Sequence, residues 1–161
     1  TDLINYLRNL EIIAWATLIF GLILYFADTF KVKKKLEKDL TIKNILIIGL
    51  LQAFAIIPGV SRSGISITAG RFLNFDRHDS TKISFYLSIP ALLGASIITL
   101  KDSINENFEF NFLLIISIIL SFIFSYLTIK YFLIYTKKFS LKVFVFYRII
   151  LSIIIFIIIY N

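Results

Sequence analysis

The sequence predicts an all-α membrane protein, a polytopic helix bundle with a re-entrant helix hairpin. Of its 161 residues 58% are hydrophobic, and the mean hydropathy is +0.88, which is more apolar than a soluble domain permits. Its basic residues cluster in short loops between apolar runs, a pattern that sets membrane topology. Two further apolar segments, on either side of a polar turn, are too short to cross a bilayer, and they predict the hairpin.

Four apolar runs have the length and composition of membrane spans, at about residues 12–27, 83–100, 112–129 and 143–160. The loops after the first and third runs are rich in lysine, whereas the loop around residues 101–111 carries Lys101 against Asp102, Glu106 and Glu109. By the positive-inside rule, the lysine-rich loops face the cytoplasm and the acidic loop faces the exterior. Because the basic residues do not form one continuous face, a nucleic-acid partner is not expected.

The hairpin is predicted over residues 44–75, within a single membrane domain that covers residues 1–161. A helix from Asn44 to Ile57 would be about 21 Å long, whereas the hydrocarbon layer is about 30 Å thick. A re-entrant hairpin also keeps every lysine-rich loop on one side, which a full span would not do. We therefore expect the apex of the hairpin to lie past the midplane and to open towards the exterior.

The apex, Pro58 to Gly64, has the composition of an anion-binding turn. Arg62 offers a planar fork of donors that suits two phosphate oxygens, and Ser61 and Ser63 add hydroxyl groups. Gly59 and Gly64 permit unusual backbone dihedrals. The second half-helix is expected to begin near Gly64 and to aim the free amides of residues 64–66 at the turn. The alternative is structural: the turn only reverses the chain, and Arg62 neutralises a carboxylate elsewhere.

Three other charged residues have predicted positions. Arg148 lies in the last apolar run, close to Lys142, and it either snorkels to the interface as a structural residue or reaches the substrate. Arg71, in the second half of the hairpin, is expected to be a snorkelling anchor. His78, in the following loop, is expected to be solvated and without a catalytic role.

Small residues recur at helical spacing on two of the predicted spans. They are Ser84, Ser88, Ala91 and Ala95 on one span, and Ser117, Ser121, Ser125 and Thr128 on the next. Such stripes favour close packing between membrane helices.

Three stretches resemble the undecaprenyl-diphosphatase family, the bacitracin-resistance membrane phosphatases of bacteria. They are GLLQAFAIIPGVSRSGISITAGRFL, FYLSIPALLGA at residues 85–95, and FYRIIL near the end. The resemblance implies hydrolysis of undecaprenyl diphosphate to the monophosphate and phosphate, outside the bacterial cytoplasmic (inner) membrane, which recycles the lipid carrier for cell-wall synthesis. It also implies two inverted repeats, each with a re-entrant hairpin, and this chain would hold the second one.

The same resemblance implies roles for the residues of the apex. Ser61 and Arg62 are candidate catalytic residues, and the candidate substrate ligands are Gly59, Ser61, Arg62, Ser63, Gly64, Ser66 and, in the FxxYRI segment, Arg148. A divalent cation, Mg or Ca, is implied as well, with ligands expected mainly from a Glu-containing motif of the first repeat that has no counterpart here, and none in this chain. We therefore expect the chain alone to be an inactive C-terminal portion.

The expected partners are a polyprenyl diphosphate lipid and the membrane, and a homodimer is left open. Two other classes of function also remain open at this point. A transporter or flippase for an anionic lipid or solute also holds its substrate at a broken helix. A structural or assembly subunit would need Arg62 for stability alone. Turnover distinguishes them, since only the phosphatase releases phosphate.

Overall fold

The computed structural model describes residues 9–105 and 112–160, without the side chains of residues 102–105. Within these ranges the regular structure is helical, apart from one isolated bridge between Lys34 and Phe75. The helices are α1 (Leu10–Asp28), α2 (Leu36–Asp39), α3 (Ile42–Gln52), α4 (Arg62–Phe72), α5 (Arg77–Asn105), α6 (Phe112–Lys138) and α7 (Lys142–Tyr160), with a 3-10 turn at Ala53–Ile56.

Four of the described helices, α1, α5, α6 and α7, are long and apolar enough to cross a membrane. This confirms the predicted class, an all-α polytopic membrane protein. Helix α6 runs to Lys138, well past the predicted span at residues 112–129. A lysine such as Lys130 does not end a helix, because its long side chain can reach the aqueous interface.

Helices α3 and α4 form the two arms of a hairpin whose outer ends lie together. The backbone amides of Lys33 and Lys34 both donate to the carbonyl of Asn74, at 3.0 and 3.1 Å. The amide of Leu36 donates to the carboxylate of Asp79 at 2.9 Å. The chain therefore enters and leaves the hairpin at the same end of the bundle, which is the geometry that a re-entrant segment requires.

Asp28, the last residue of α1, joins several helix ends at that same end of the bundle. Its carboxylate accepts from Arg77 Nε at 2.6 Å and Nη2 at 3.1 Å, and from the Leu141 amide at 3.3 Å. It also lies 3.8 Å from Arg71 Nε. The ends of α1 and α4, the start of α5 and the α6–α7 connection therefore meet on one side, where the lysine-rich loops also lie.

Arg71 is a buried member of this network, so the prediction that it snorkels to the interface is wrong. The residue is only 2% exposed. Its guanidinium donates to the backbone carbonyls of Phe75 (2.7 Å), Asp28 (3.0 Å) and Phe30. A planar group with five donors can satisfy several carbonyls that are left unpaired where helices end, and this use competes with solvation.

His78 is half-buried, so the prediction that it is merely solvated is also wrong. Its Nδ1 lies 3.1 Å from the carbonyl oxygen of Leu133 in α6. The contact joins the first turn of α5 to the last turns of α6.

Helix α4 is the central element, since it packs against α1, α3 and α5. Helix α1 also packs along α7, where Ser152 Oγ donates to the carbonyl of Ala14 at 2.9 Å and the rings of Trp15 and Phe156 meet edge to face. Helix α1 is therefore the shared support for the hairpin and for α7.

Candidate anion-binding site

The apex is set by the N-terminus of α4, which begins at Arg62 and not near Gly64 as predicted. Ser61 is its N-cap, and the Ser61 hydroxyl accepts from the Gly64 amide at 3.1 Å. The Ile65 amide donates to the Ser61 carbonyl at 2.9 Å. The prediction that the amides of residues 64–66 face the ligand is therefore wrong. In the described part of the chain, the amides left without partners at this helix end are those of Arg62 and Ser63.

Gly59 has the predicted unusual backbone, with a φ of +92°. A Cβ atom here would lie 2.5 Å from the carbonyl oxygen of Ile13, so the turn packs directly on α1. The Gly59 carbonyl accepts from Thr17 Oγ1 at 3.4 Å. Gly59 therefore positions the apex against α1, and it does not line the cavities at the apex.

Gly64 is needed for space, because it is helical and a Cβ there would lie 2.9 Å from Arg148 Nη2. The stem of Arg148 passes over Gly21, where an added Cβ would lie 3.2 Å from Arg148 Cβ. Arg148 therefore runs from α7 across α1 to the N-terminus of α4. Its guanidinium thus lies beside the apex and does not snorkel to the cytoplasmic interface, and its contact with substrate stays a prediction.

Two cavities meet at the apex. The first, of about 290 Å³, is lined by Ser61, Ser63, Gly64 and Arg148 together with apolar side chains. The second, of about 430 Å³, is lined by Arg62 and Ser63 together with side chains of α5 and α6. Ser63 belongs to both cavities, and its hydroxyl lies 3.2 Å from that of Ser61. Arg62 and Arg148 therefore line two neighbouring cavities that share Ser63.

Within residues 9–105 and 112–160, neither Arg62 nor Arg148 has an ion pair or a side-chain hydrogen bond. The ion pairs found there join Arg71 and Arg77 to Asp28, at the other end of α4. Neither apex cavity is lined by a carboxylate. The described residues thus give no partner for the structural role of Arg62. Two guanidinium groups, free amides and a helix N-terminus make the apex complementary to an anion with several oxygens.

Ser66 lies behind the apex and lines neither apex cavity, so its predicted contact with substrate gains no support. It is fully buried, and its Oγ lies 3.0 Å from Gln52 Oε1 and 2.9 Å from the Arg62 carbonyl oxygen. Ser66 therefore ties α4 to the end of α3. Gln52 and Thr17 were missed by the sequence analysis, although a polar residue inside an apolar run is the signal that could have found them.

The small-residue stripes on α5 and α6 favour close helix packing, but part of each stripe lines a cavity in the structure. Ser84 and Ser88 of α5 and Ser125 and Thr128 of α6 line the same 430 Å³ cavity. The remaining members of both stripes are exposed. The stripes thus add hydroxyl groups to the cavity that contains Arg62.

The described residues contain no group of three or more His, Cys, Asp or Glu side chains that could hold a metal ion. The apex itself offers hydroxyls and arginines. The arginines repel a cation, and the described part of the apex lacks the carboxylates that Mg²⁺ and Ca²⁺ prefer. The apex residues therefore do not fit a divalent cation by themselves.

The fold and the site together define a polytopic α-helical membrane protein with an anion-complementary apex in a helix hairpin. The chain belongs to the BacA family, since the family model described as bacitracin resistance protein BacA matches residues 1–154. This confirms the family that the motifs resembled.

Similar proteins carry the name undecaprenyl-diphosphatase. The one from Pelagibacter ubique is 62% identical over 162 residues, covering 100% of this chain and 63% of the relative. Those from Elusimicrobium minutum and Thermodesulfovibrio yellowstonii are 46% and 39% identical, covering 93% and 96% of this chain and 57% and 60% of the relatives. The chain thus spans about 60% of the length of these relatives.

Proposed function

We propose that the chain carries the diphosphate-binding part of an undecaprenyl-diphosphate phosphatase. This enzyme hydrolyses the lipid diphosphate to the monophosphate and phosphate, which recycles the carrier for cell-wall synthesis. The observation that carries the proposal is that two arginines without an ion pair among the described residues, Arg62 and Arg148, line neighbouring cavities that share Ser63. The family and the names of the relatives point to the same activity.

Each apex residue has a role in this proposal. Arg62 and Arg148 clamp the phosphate oxygens and stabilise the negative charge that they carry in the transition state. Because Ser61 Oγ accepts from the Gly64 amide, its own hydrogen can be donated either to Ser63 Oγ or to a phosphate oxygen. Ser63 adds a second hydroxyl, and the free amides of Arg62 and Ser63 complete the donors.

The proposal assigns the general base to residues beyond these 161. Hydrolysis of a phosphoanhydride needs such a base to activate water, and often a metal ion. The described part of the apex offers neither a base nor ligands for a cation. Because the relatives are longer than this chain, we assign the ligands of the expected Mg or Ca ion to the same additional region.

We also propose that the apex faces the exterior of the bacterial cytoplasmic membrane. The Asp28 network gathers the lysine-rich loops at one end of the bundle, and these loops are expected in the cytoplasm. The apex lies at the other end of α4, away from that network.

The test uses the intact protein in detergent, with phosphate release from a polyprenyl diphosphate as the readout. Arg62→Ala is expected to lower kcat/KM on the order of 100-fold, as the loss of one charge-stabilising donor does. Arg62→Lys should retain part of the activity, because the charge remains but the planar fork is lost. The control is Lys142→Ala, which removes an exposed cation from the start of α7.

Two results would contradict the proposal. One is an Arg62→Ala protein with unchanged turnover, which would favour the structural role. The other is a wild-type protein that moves the lipid across vesicles but releases no phosphate, which would favour a transporter or flippase.

A further inference from the structure

Besides the two cavities at the apex, a polar cavity of about 490 Å³ lies at the opposite end of the bundle. It is bounded by the ends of α1, α4 and α6 and by the start of α5. Arg71 lines it from the last turn of α4, whereas Ser61 caps the first turn, so the helix separates the two sites by about 15 Å. The residues of the proposed phosphatase site do not line this cavity.

Two cationic groups face the cavity with donors to spare. Arg77 gives its Nε and Nη2 to Asp28, which fixes the guanidinium and leaves Nη1 without a partner in the described part of the chain. The side chain of Lys137, in the last turn of α6, has no ion pair or hydrogen bond within the described part of the chain. The amides of Arg77 and His78, in the first turn of α5, are likewise unpaired there. The residues that carry these donors lie in α5 and α6 and line the same cavity.

Both carboxylates that line the cavity already accept hydrogen bonds from the protein. Asp28 accepts from Arg77 and from the Leu141 amide. Asp76 accepts from the Asp79 amide at 2.6 Å. With Arg71, Arg77 and Lys137 on the walls against these two acids, the cavity carries a net positive charge. The net charge of the cavity therefore favours an anion.

Apolar side chains stand beside these cations. Phe30 and Val32 line the cavity and are 44% and 54% exposed. They follow directly on α1, which is long and apolar enough to span the membrane, so the cavity lies at the depth of the lipid head groups. A free phosphate ion would gain nothing from these two side chains, whereas a phospholipid places its glycerol and upper acyl chain next to its phosphate.

We propose that this cavity binds the phosphate of an anionic phospholipid, with Arg77 and Lys137 as its ligands. Basic pockets between membrane helices on the cytoplasmic side are typical sites for such head groups. The site is separate from the apex, and the inference does not depend on the phosphatase reaction.

Two adjacent lysines provide a matched test. Lys137 and Lys138 both lie in the last turn of α6 and both are exposed, but only Lys137 lines the cavity. The intact protein is titrated with phosphatidylglycerol in phosphatidylcholine nanodiscs, and the bound anionic lipid is counted by native mass spectrometry. Lys137→Gln should weaken the retention of phosphatidylglycerol about fivefold, as the loss of one basic contact at a membrane surface does. Lys138→Gln should change it little.

Arg77→Lys is the second variant, because it keeps the charge but removes the fork that Asp28 orients. It should also weaken retention, and its melting temperature shows whether the protein remains folded. Equal weakening by Lys137→Gln and Lys138→Gln would overturn the proposal in favour of diffuse surface charge. Unchanged lipid retention in both Lys137→Gln and Arg77→Lys would overturn it too. Displacement of the lipid by millimolar inorganic phosphate would identify free phosphate as the ligand instead. Phosphate release by Lys137→Gln, measured in parallel, should match that of the wild type, because this site is separate from the apex.

Discussion

At the scale of single residues, Gly64 connects the two halves of the candidate site. It is helical, so its importance comes from the space that it leaves for Arg148 Nη2, which would lie 2.9 Å from an added Cβ. The nearest atom belongs to the far end of a flexible side chain, and Ser61 Cβ and Oγ follow at 3.2 Å. A methyl group at Gly64 should therefore displace the Arg148 guanidinium without breaking the helix.

We predict that Gly64→Ala lowers phosphate release by the intact protein on the order of 10- to 100-fold, mainly through a higher KM, because a small displacement of a positioning group is that costly. The melting temperature should stay the same or rise, since alanine favours a helix over glycine by about 1 kcal/mol. Gly49→Ala is the control, because an added Cβ there meets no atom within 4 Å. Full activity in Gly64→Ala would remove Arg148 from the site.

The residue composition indicated the part of the site that one turn brings together, whereas Arg148 was a candidate ligand only through the family resemblance. Ser61, Arg62 and Ser63 are consecutive, so their composition alone indicated an anion site. The position of Arg148 depends on Gly21 and Gly64, which belong to two other helices. Ser66 seemed to be a ligand because a linear motif does not show which face of α4 is turned towards α3 and Gln52.

At the scale of the elements, α4 is held against α1 at both ends. At the apex, Gly59 packs on Ile13 and its carbonyl accepts from Thr17. At the opposite end, Arg71 donates to α1 and to the residues that follow it, beside the buried Asp28 carboxylate. Hydropathy predicted the apolar runs well, but it could not predict this pairing, because lipid-facing and helix-facing surfaces are equally apolar in a membrane protein.

We predict that Asp28→Asn destabilises the protein by about 3–5 kcal/mol, because it leaves the buried Arg71 and its neighbour Arg77 without a counter-charge. The measurement is the midpoint of thermal or denaturant unfolding in detergent. Adding Arg77→Gln to Asp28→Asn should recover part of the loss, and the double-mutant cycle isolates that pair. The exposed Glu37→Gln serves as the control and should shift the midpoint little. Purely additive effects would show that the pair is not coupled.

At the apex end of α4, Gly59→Ala is also expected to destabilise the protein. Alanine would have to adopt a φ of +92° and would place its Cβ 2.5 Å from a backbone oxygen of α1 that cannot move aside. The φ strain alone costs on the order of 1–3 kcal/mol. Gly94→Ala, where nothing lies within 4 Å of the added Cβ, should leave the unfolding midpoint unchanged or raise it, because Gly94 is helical and alanine favours a helix. Equal midpoints for the two variants would mean that the turn does not pack against α1.

At the scale of the whole molecule, the lysine-rich segments and the apex lie at opposite ends of the bundle. The two feet of the hairpin, the Asp28 network and the lysines that follow α1 and end α6 share one end of the bundle. Ser63 sits at the far end of α4 and is exposed. Because lysine-rich loops stay in the cytoplasm, this polarity predicts the compartment from which each end is reached.

Single-cysteine labelling tests this polarity directly, since these 161 residues contain no cysteine and any cysteine elsewhere in the intact protein is first replaced by serine. In spheroplasts that express the intact protein, a membrane-impermeant maleimide should label Ser63→Cys from outside. It should label Lys35→Cys and Lys138→Cys only after the membrane is permeabilised, because both positions lie at the lysine-rich end. A hairpin that opened into the cytoplasm would reverse the result for Ser63→Cys while leaving the other two unchanged. The three variants together therefore separate an inverted hairpin from an inverted protein, in which all three labelling patterns would change.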